Sequence, residues 1–417
     1  MVFLYDIALA GYMLLLRLLA PFLPRAAAWV QGRRGLLAHI RQTIGPDAAP
    51  RVWFHCASLG EFEQGRPLIE AYRQQHPEVK IVLTFFSPSG YEIRKSWPGA
   101  DYIFYLPLDT RRNARAFLDV VRPQLVVFVK YEFWYHFLTE TARRGIPAIV
   151  VAAIFRPEQV FFKPWGGFFL RILRSFAHIF TQNEASAKLL RSIGLEQVTV
   201  AGDTRFDTVA ATAAAPPRPL PLVEAFVADG SPVLVAGSLW PEDLPTLAPV
   251  LHDYGSRLRT IIAPHEIDEA TLVAIESKWP AGHAVRYSQA NPDTVSMARV
   301  LLIDNIGLLS QLYRFGHYAY IGGAFGKGLH NTLEAAAFGL PLFFGPNYRK
   351  FQEAVDLIER GLAFSVQNAT ELNTEFTSLW NNEQYRLRVQ DQLLEYVHGQ
   401  AGATKRILRQ LTMSNEQ

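Results

Sequence analysis

Short continuous apolar runs, separated by stretches of helical period, recur along the whole chain. Such runs suit strands buried on both faces. Their alternation with amphipathic stretches predicts parallel sheets with crossover helices. In the first half the expected strands are 51–57, 79–86, 102–105, 124–130, 147–153, 177–181 and 197–201, with helical patterns over 64–75, 111–121, 132–144 and 184–193. Residues 209–222 then carry four prolines in six positions, from Pro216 to Pro221. A segment of that kind cannot continue a helix or a central strand and reads as a linker. Alternation resumes with strands at 232–236, 258–263, 299–303, 317–322 and 341–344, and 384–412 reads as helical throughout.

At 417 residues the chain exceeds the roughly 250–300 residues at which a single core stops growing. The expected fold is α/β, with two Rossmann-like domains (25–208 and 223–383) facing across a cleft, joined by the 209–222 linker and followed by helices over 384–417. This is the GT-B-type glycosyltransferase architecture, and sugar-nucleotide epimerases and phosphorylases share it, so fold alone does not choose an activity. A net charge of +3 is too mild to argue for nucleic acid. The single cysteine, Cys56, excludes an internal disulfide framework and, within an apolar run, reads as a packed thiol.

Residues 1–24 are mostly apolar, but Asp6 and Arg17 interrupt them and Pro21 and Pro24 close them. A spanning helix wants ~20 apolar residues without such breaks. Arg25, Arg33, Arg34 and Arg41 follow, with Asp47 the only acid between Asp6 and Glu61. An apolar face followed by cations suits a segment associated with an anionic membrane surface, or else a first helix docked on the domain.

The chemistry concentrates where strands turn into helices, because such turns aim backbone N–H groups and helix-start side chains into the ligand crevice. Arg51–Glu61 is one such turn: Glu61 projects as a general base, or Ser58 and Glu61 form only a capping box. The stretch Tyr320 to Gly339 pairs Gly322 and Gly323 with a glycine-rich loop, Lys327 and a helix expected to open at Asn331. That combination favours a phosphate, with Glu334 facing ribose hydroxyls; the alternative is a capping box of Asn331 and Glu334. Gly237 and Ser238 end another strand, facing a donor phosphate or sugar unless Ser238 merely caps near Pro241. His265 ends a further strand. Lys130 and Glu132 close the fourth, where an exposed ion pair is the alternative. Ser87, Ser89 and Gly90 lie in a polar turn suited to an acceptor. Arg156 and Lys163 follow strand five as candidate anion holders. No metal-spaced motif appears, so a transfer without a metal or other cofactor is expected.

Taken together, Ser58-Leu-Gly-Glu61, Thr84 to Gly90, Tyr131-Glu132-Phe-Trp134, Gln182-Asn183-Glu184, Gly202 to Asp207, Gly322-Gly323 and His330 to Ala336 resemble the 3-deoxy-D-manno-octulosonic acid (Kdo) transferases of lipid A biosynthesis. The resemblance runs from about residue 30 to residue 365. It implies an inverting transfer of Kdo from CMP-Kdo to the lipid A precursor (lipid IVA), with an acceptor-binding first domain and a donor-binding second one. It also implies work at the cytoplasmic face of a Gram-negative inner membrane. Glu61 would be the general base, Glu132 and Arg205 would steady the transition state, and acceptor contacts would fall on Ser58, Ser87, Ser89, Gly90, Lys130 and Arg156. Pro264, His265, Ile306, Gly307, Leu308, Asn331, Thr332, Leu333 and Glu334 would contact CMP, beside Gly237, Ser238, Gly323 and Lys327. The chain departs from the family pattern in having Arg205 for lysine, Ile306-Gly307-Leu308 for Met-Gly-Glu and Pro264-His265-Glu266 for Pro-Arg-His-Pro. It also has Gly328-Leu329-His330-Asn331-Thr332 for Gly-Gly-His-Asn-Pro. The rival expectations are a sugar-nucleotide epimerase of the same fold and a non-catalytic membrane-bound scaffold.

Overall fold

The computed structural model describes residues 1–255, 257–326 and 328–415. By contacts the chain forms two compact units, Met1–Asp207 with Ala401–Gln417, and Thr208–Gln400.

The first unit is built on a parallel seven-stranded sheet of β1 (Arg51–Cys56), β2 (Lys80–Phe85), β3 (Tyr102–Tyr105), β4 (Leu125–Val129), β5 (Ala148–Ala153), β6 (His178–Thr181) and β7 (Val198–Val200). Its order is β3-β2-β1-β4-β5-β6-β7. Every residue of β1 and β5 is buried, as a parallel strand covered on both faces requires. One core packs Trp53, Val126, Phe128 and Val150 against Phe117, Phe137 and Phe168; the other packs Val52, Phe54, Leu83 and Val127 against Leu68, Ile69, Ile407 and Leu408.

The second unit has the same plan: β8 (Val233–Leu239), β9 (Arg259–Pro264), β10 (Ala284–Arg286), β11 (Val300–Leu302), β12 (Tyr318–Ile321), β13 (Leu342–Phe344) and β14 (Ala363–Ser365). They are ordered β10-β11-β9-β8-β12-β13-β14 and are parallel throughout. Strand order reverses between β1 and β4 in the first sheet and between β8 and β12 in the second. These reversals mark the ligand crevices of open α/β sheets.

Several expectations change. The helix expected over 132–144 is Tyr135–Arg143, which leaves Glu132 in the connection after β4. The helix Thr204–Ala214 runs into the stretch read as a linker and stops before Pro216. Pro221 then opens the helix Pro221–Phe226, where its missing N–H costs nothing. The helical C-terminal region breaks at Gly402 (φ +100°). Its last helix, Ala403–Asn415, belongs to the first unit. Asp207 holds the start of that helix, accepting from the Gly402 and Thr404 amides.

Candidate active site

In the first unit β1 leads through Ala57 and Ser58 into the helix Leu59–Gln75. A Cβ on Gly65 would lie 3.0 Å from Val129 Cγ2 and 3.3 Å from Cys56 Sγ. Only glycine there lets the helix start sit against β1 and β4. Ser58 takes the N-cap position with extended backbone, but its side chain caps nothing. Instead its hydroxyl donates to the Glu61 carboxylate. Ser58 therefore orients Glu61 rather than capping the helix, which corrects the expectation of a capping box. The Ser87 amide donates to Ala57 O at 2.7 Å and brings the end of β2 to the same place.

At the end of β4 the Glu132 carboxylate is 7% exposed. Its Oε2 lies 2.9 Å from His55 Nε2 and accepts from Trp134 Nε1 at 2.6 Å. His55 Nδ1 meets Thr84 Oγ1 at 2.8 Å, and Trp53 Nε1 donates to the same hydroxyl at 2.7 Å. Nδ1 also lies 3.1 Å from Thr84 O, so the ring is held by Thr84 on one side and by Glu132 on the other, and a chain of hydrogen bonds fixes both the ring and the carboxylate. Glu132 is thus held in a buried network rather than displayed in an exposed pair. Sequence reasoning passed over His55 as a network member. The signal was a single polar residue inside each of two apolar strands, and those residues, His55 and Thr84, are register partners.

Arg205 opens the helix Thr204–Ala214, and its guanidinium donates to Asp203 through Nε at 2.9 Å and Nη2 at 2.7 Å. Thr204 Oγ1 donates to Gln64 O, tying this turn to the helix that carries Glu61. Lys130, in left-handed backbone (φ +70°), lies beside the Tyr131 ring. Arg156 is exposed beyond β5. Burial pushes the Tyr131 phenol up, with Arg156 opposing and Glu61 reinforcing, so these three share one electrostatic neighbourhood. Ser87 caps the helix Pro88–Arg94, accepting from the Ser89 amide at 3.3 Å. Gly90 is buried where a Cβ would meet Phe85 Cδ1 at 2.3 Å, so packing against Phe85 requires its smallness. Cys56 is fully buried, and burial with the nearby Glu61, Glu132 and Glu63 pushes its thiol up, as a packed thiol should be.

The second unit builds its crevice from the ends of β8 and β12. Asp243 is fully buried and accepts from the Trp240 amide at 2.8 Å, the Gly323 amide at 3.0 Å and the Tyr320 hydroxyl at 3.2 Å. Burial raises its carboxyl, with those hydrogen bonds opposing. A Cβ on Gly322 would meet Ser238 O at 2.3 Å, and one on Gly237 would meet Tyr313 Oη at 2.1 Å. Both glycines therefore serve close packing of the turns. Gly323 (φ +93°) commits its amide to Asp243, so that N–H is not offered to a phosphate. Ser238 lies inside β8 at a register shift, in strained left-handed backbone (φ +52°), and is not an N-cap.

Trp240 stacks on His265 with ring centroids 4.4 Å apart, and His265 lies 4.5 Å from His330. Trp240 Nε1 donates to His330 Nε2 at 3.0 Å. Burial and the neighbouring His265 push His330 down to about 4, which keeps the ring neutral and its Nε2 an acceptor. Pro264 ends β9, and the His265 amide donates to Leu239 O at 2.9 Å. The loop Ile306-Gly307-Leu308 follows β11, with Ile306 exposed and Gly307 at φ +96°. Leu309 beyond it borders Gly237. The helix expected to open at Asn331 is only Leu333–Ala336. Asn331 Oδ1 accepts from the Leu333 amide at 3.1 Å and its Nδ2 donates to Glu334 at 3.0 Å, so these side chains form a local cap. Lys327 lies outside the described residues.

Residues 30–208 match the family described as 3-deoxy-D-manno-octulosonic-acid transferase (kdotransferase). Relatives of the same name agree over longer spans. One from Chlamydophila psittaci is 28% identical, covering 77% of this chain and 74% of its own. One from Aquifex aeolicus is 26% identical, covering 79% and 85%. Over most of its length the chain is thus similar to Kdo transferases. In fold it is similar to a UDP-GlcNAc 2-epimerase from Neisseria meningitidis (TM-score 0.61, 16% identity, 87% of this chain and 100% of that one) and to MurG from Acinetobacter baumannii (0.54, 15%, 87% and 100%). Both likenesses are to the two-sheet α/β architecture. Among the Kdo transferase departures, Thr332 stands in place of proline, and its buried hydroxyl has no hydrogen-bond partner among the described residues.

Proposed function

We propose that this chain is a Kdo transferase, a glycosyltransferase like the relatives it resembles, and that it moves Kdo from CMP-Kdo to the lipid A precursor with inversion, at the cytoplasmic face of a Gram-negative inner membrane. The observation that carries it is the seat of Glu61. It lies in the first turn of a helix beyond the β1/β4 reversal, oriented by Ser58, one strand from the buried Glu132 network. In the proposed reaction Glu61 takes the proton of an acceptor hydroxyl as that oxygen bonds to the anomeric carbon of Kdo. The bond from that carbon to the CMP phosphate oxygen breaks, and CMP leaves with the electron pair. Glu132 lowers the cost of positive charge developing at the anomeric centre, and Arg205, from the base's own neighbourhood, answers the negative charge of the donor. CMP belongs to the second unit, where the Trp240–His265–His330 stack offers aromatic faces and a neutral imidazole. No metal is assigned a role; activity that survives exhaustive chelation is the expected result.

The test incubates the whole protein with CMP-Kdo and tetra-acylated lipid A precursor and reads product masses. Mass increments of one or more Kdo residues with release of CMP are expected. An unchanged acceptor alongside consumed or isomerised sugar nucleotide overturns the proposal.

A further inference from the structure

The first helix, Val2–Leu19, has the composition of a membrane span, yet the fold gives it two different sides. Val2, Tyr5, Leu9, Met13, Leu16 and Ala20 are partly covered at helical spacing, while Phe3, Leu4, Ile7, Leu14, Leu15 and Leu18 are exposed. The covered side is fastened by polar bonds. Tyr5 Oη donates to the buried Asp109 at 2.6 Å, and Asp6 lies 2.6 Å from His136 Nε2. Tyr12 packs edge-on to Trp29 and stacks on Phe86. A helix fastened along its length by buried partners lies on the domain; its open face, apolar through six positions, suits the acyl layer of a bilayer met side-on.

Beneath this helix is a cavity of about 1020 Å³ whose lining includes Arg17, Arg33, Arg34, Trp29 and Pro107 and no acidic residue. Arg33 donates to Leu106 O, Trp29 O and Phe86 O, and its guanidinium lies 3.9 Å from the Trp29 ring centroid. Among the described residues no carboxylate comes within ion-pair distance of Arg17, Arg33 or Arg34. Burial pulls Arg33 down to about 9, the mark of a desolvated cation without a counter-charge. Three cations on one apolar cavity, unneutralised by the protein, complement one phosphate joined to hydrocarbon.

We infer that this cavity binds the phosphorylated headgroup of a membrane lipid, with the Val2–Leu19 helix as its roof and the lipid's chains passing to the exposed apolar side. The inference deepens the membrane-side part of the proposed function. Its test needs no donor and no turnover, so transfer and lipid capture fail separately. Phe86, whose ring lies 4.7 Å from Trp134 beside Glu132, links the cavity to the candidate site; a lipid held here stands next to the acceptor side of the fold.

The whole protein is titrated with monomeric dihexanoyl phosphatidic acid, with dihexanoyl phosphatidylcholine and with inorganic phosphate. Phosphatidic acid should bind at least tenfold more tightly than the zwitterionic lipid, and millimolar phosphate should not displace it. Arg17→Gln with Arg34→Gln should remove that preference. Ala27→Phe, which fills the cavity without changing charge, should weaken binding of both lipids tenfold or more. Equal affinity for the two lipids, displacement by phosphate alone, or unchanged binding in both variants overturns the inference. Because the two arginine positions tested are exposed and Arg33 is left intact, loss of binding is read against an unchanged melting profile.

Discussion

Two histidines show how single side chains set the chemistry of each unit. His55 has no exposed surface and is the hydrogen-bond partner that steadies the buried Glu132 carboxylate. Replacing it with phenylalanine leaves that carboxylate short of a partner, a cost of about 1–3 kcal/mol. His55→Phe should therefore lower the denaturation midpoint of the first unit and reduce kcat more than it raises KM for either substrate. Equilibrium unfolding and steady-state kinetics check this, and unchanged kcat would free Glu132 from dependence on His55. His330 acts through its proton. Its folded-state value of about 4 lies below the ordinary value of roughly 6.5. In that window the unfolded chain binds a proton that the folded chain refuses. The stabilisation is complete above roughly pH 6.5 and is lost as pH falls toward about 4. Calorimetry of the second unit's transition across this range should show a steeper acid loss in the native protein than in His330→Gln. Equal slopes would contradict the assignment.

At the scale of elements, long buried strands were legible and the short edge strands of the second sheet were not. β1 and β5 announce themselves as unbroken apolar runs because both of their faces are covered. β10 and β14, the two edges of the second sheet, are three residues each with partly exposed side chains, too short to show a run. The turn at Glu61 was legible as a strand meeting a helix, but its outcome was not. Ser-x-x-Glu serves equally as a capping box, and only the folded chain shows Ser58 donating to the carboxylate instead. Glycine-rich loops misled in the same way. Gly237, Gly322 and Gly323 are glycines because other atoms stand where a Cβ would go, and a sequence does not show what approaches a backbone. The last helix was legible as helix but not as part of the first unit, since its anchor, Asp207, is nearly two hundred residues away in sequence. Asp207→Ala removes the acceptor for the Gly402 and Thr404 amides and should cost about 1 kcal/mol. Faster amide exchange over Ala403–Asn415, with the second unit unaffected, is the expected readout. Protection equal to the native protein's would show that packing of Ile407 and Leu408 alone suffices.

For the whole molecule, fold and sequence answer different questions. The architecture is shared with an epimerase and with MurG at identities near 15%, and such likeness does not select a reaction. Selection comes from the ordered motifs and from relatives named Kdo transferases over most of the chain. The central claim is that a carboxylate at the β1 turn removes the acceptor's proton, a role an epimerase of this fold, lacking an acceptor, has no use for. The measurement that bears most directly on it compares the native protein with Glu61→Gln for CMP release in the presence of acceptor, alongside CMP affinity at equilibrium. The amide keeps the shape of the side chain and its contact with Ser58 but is no base. Turnover should fall by roughly 10²–10⁴-fold with CMP affinity unchanged within about twofold. Turnover retained within tenfold would contradict Glu61 as the base, and with it the account of how this chain transfers its sugar.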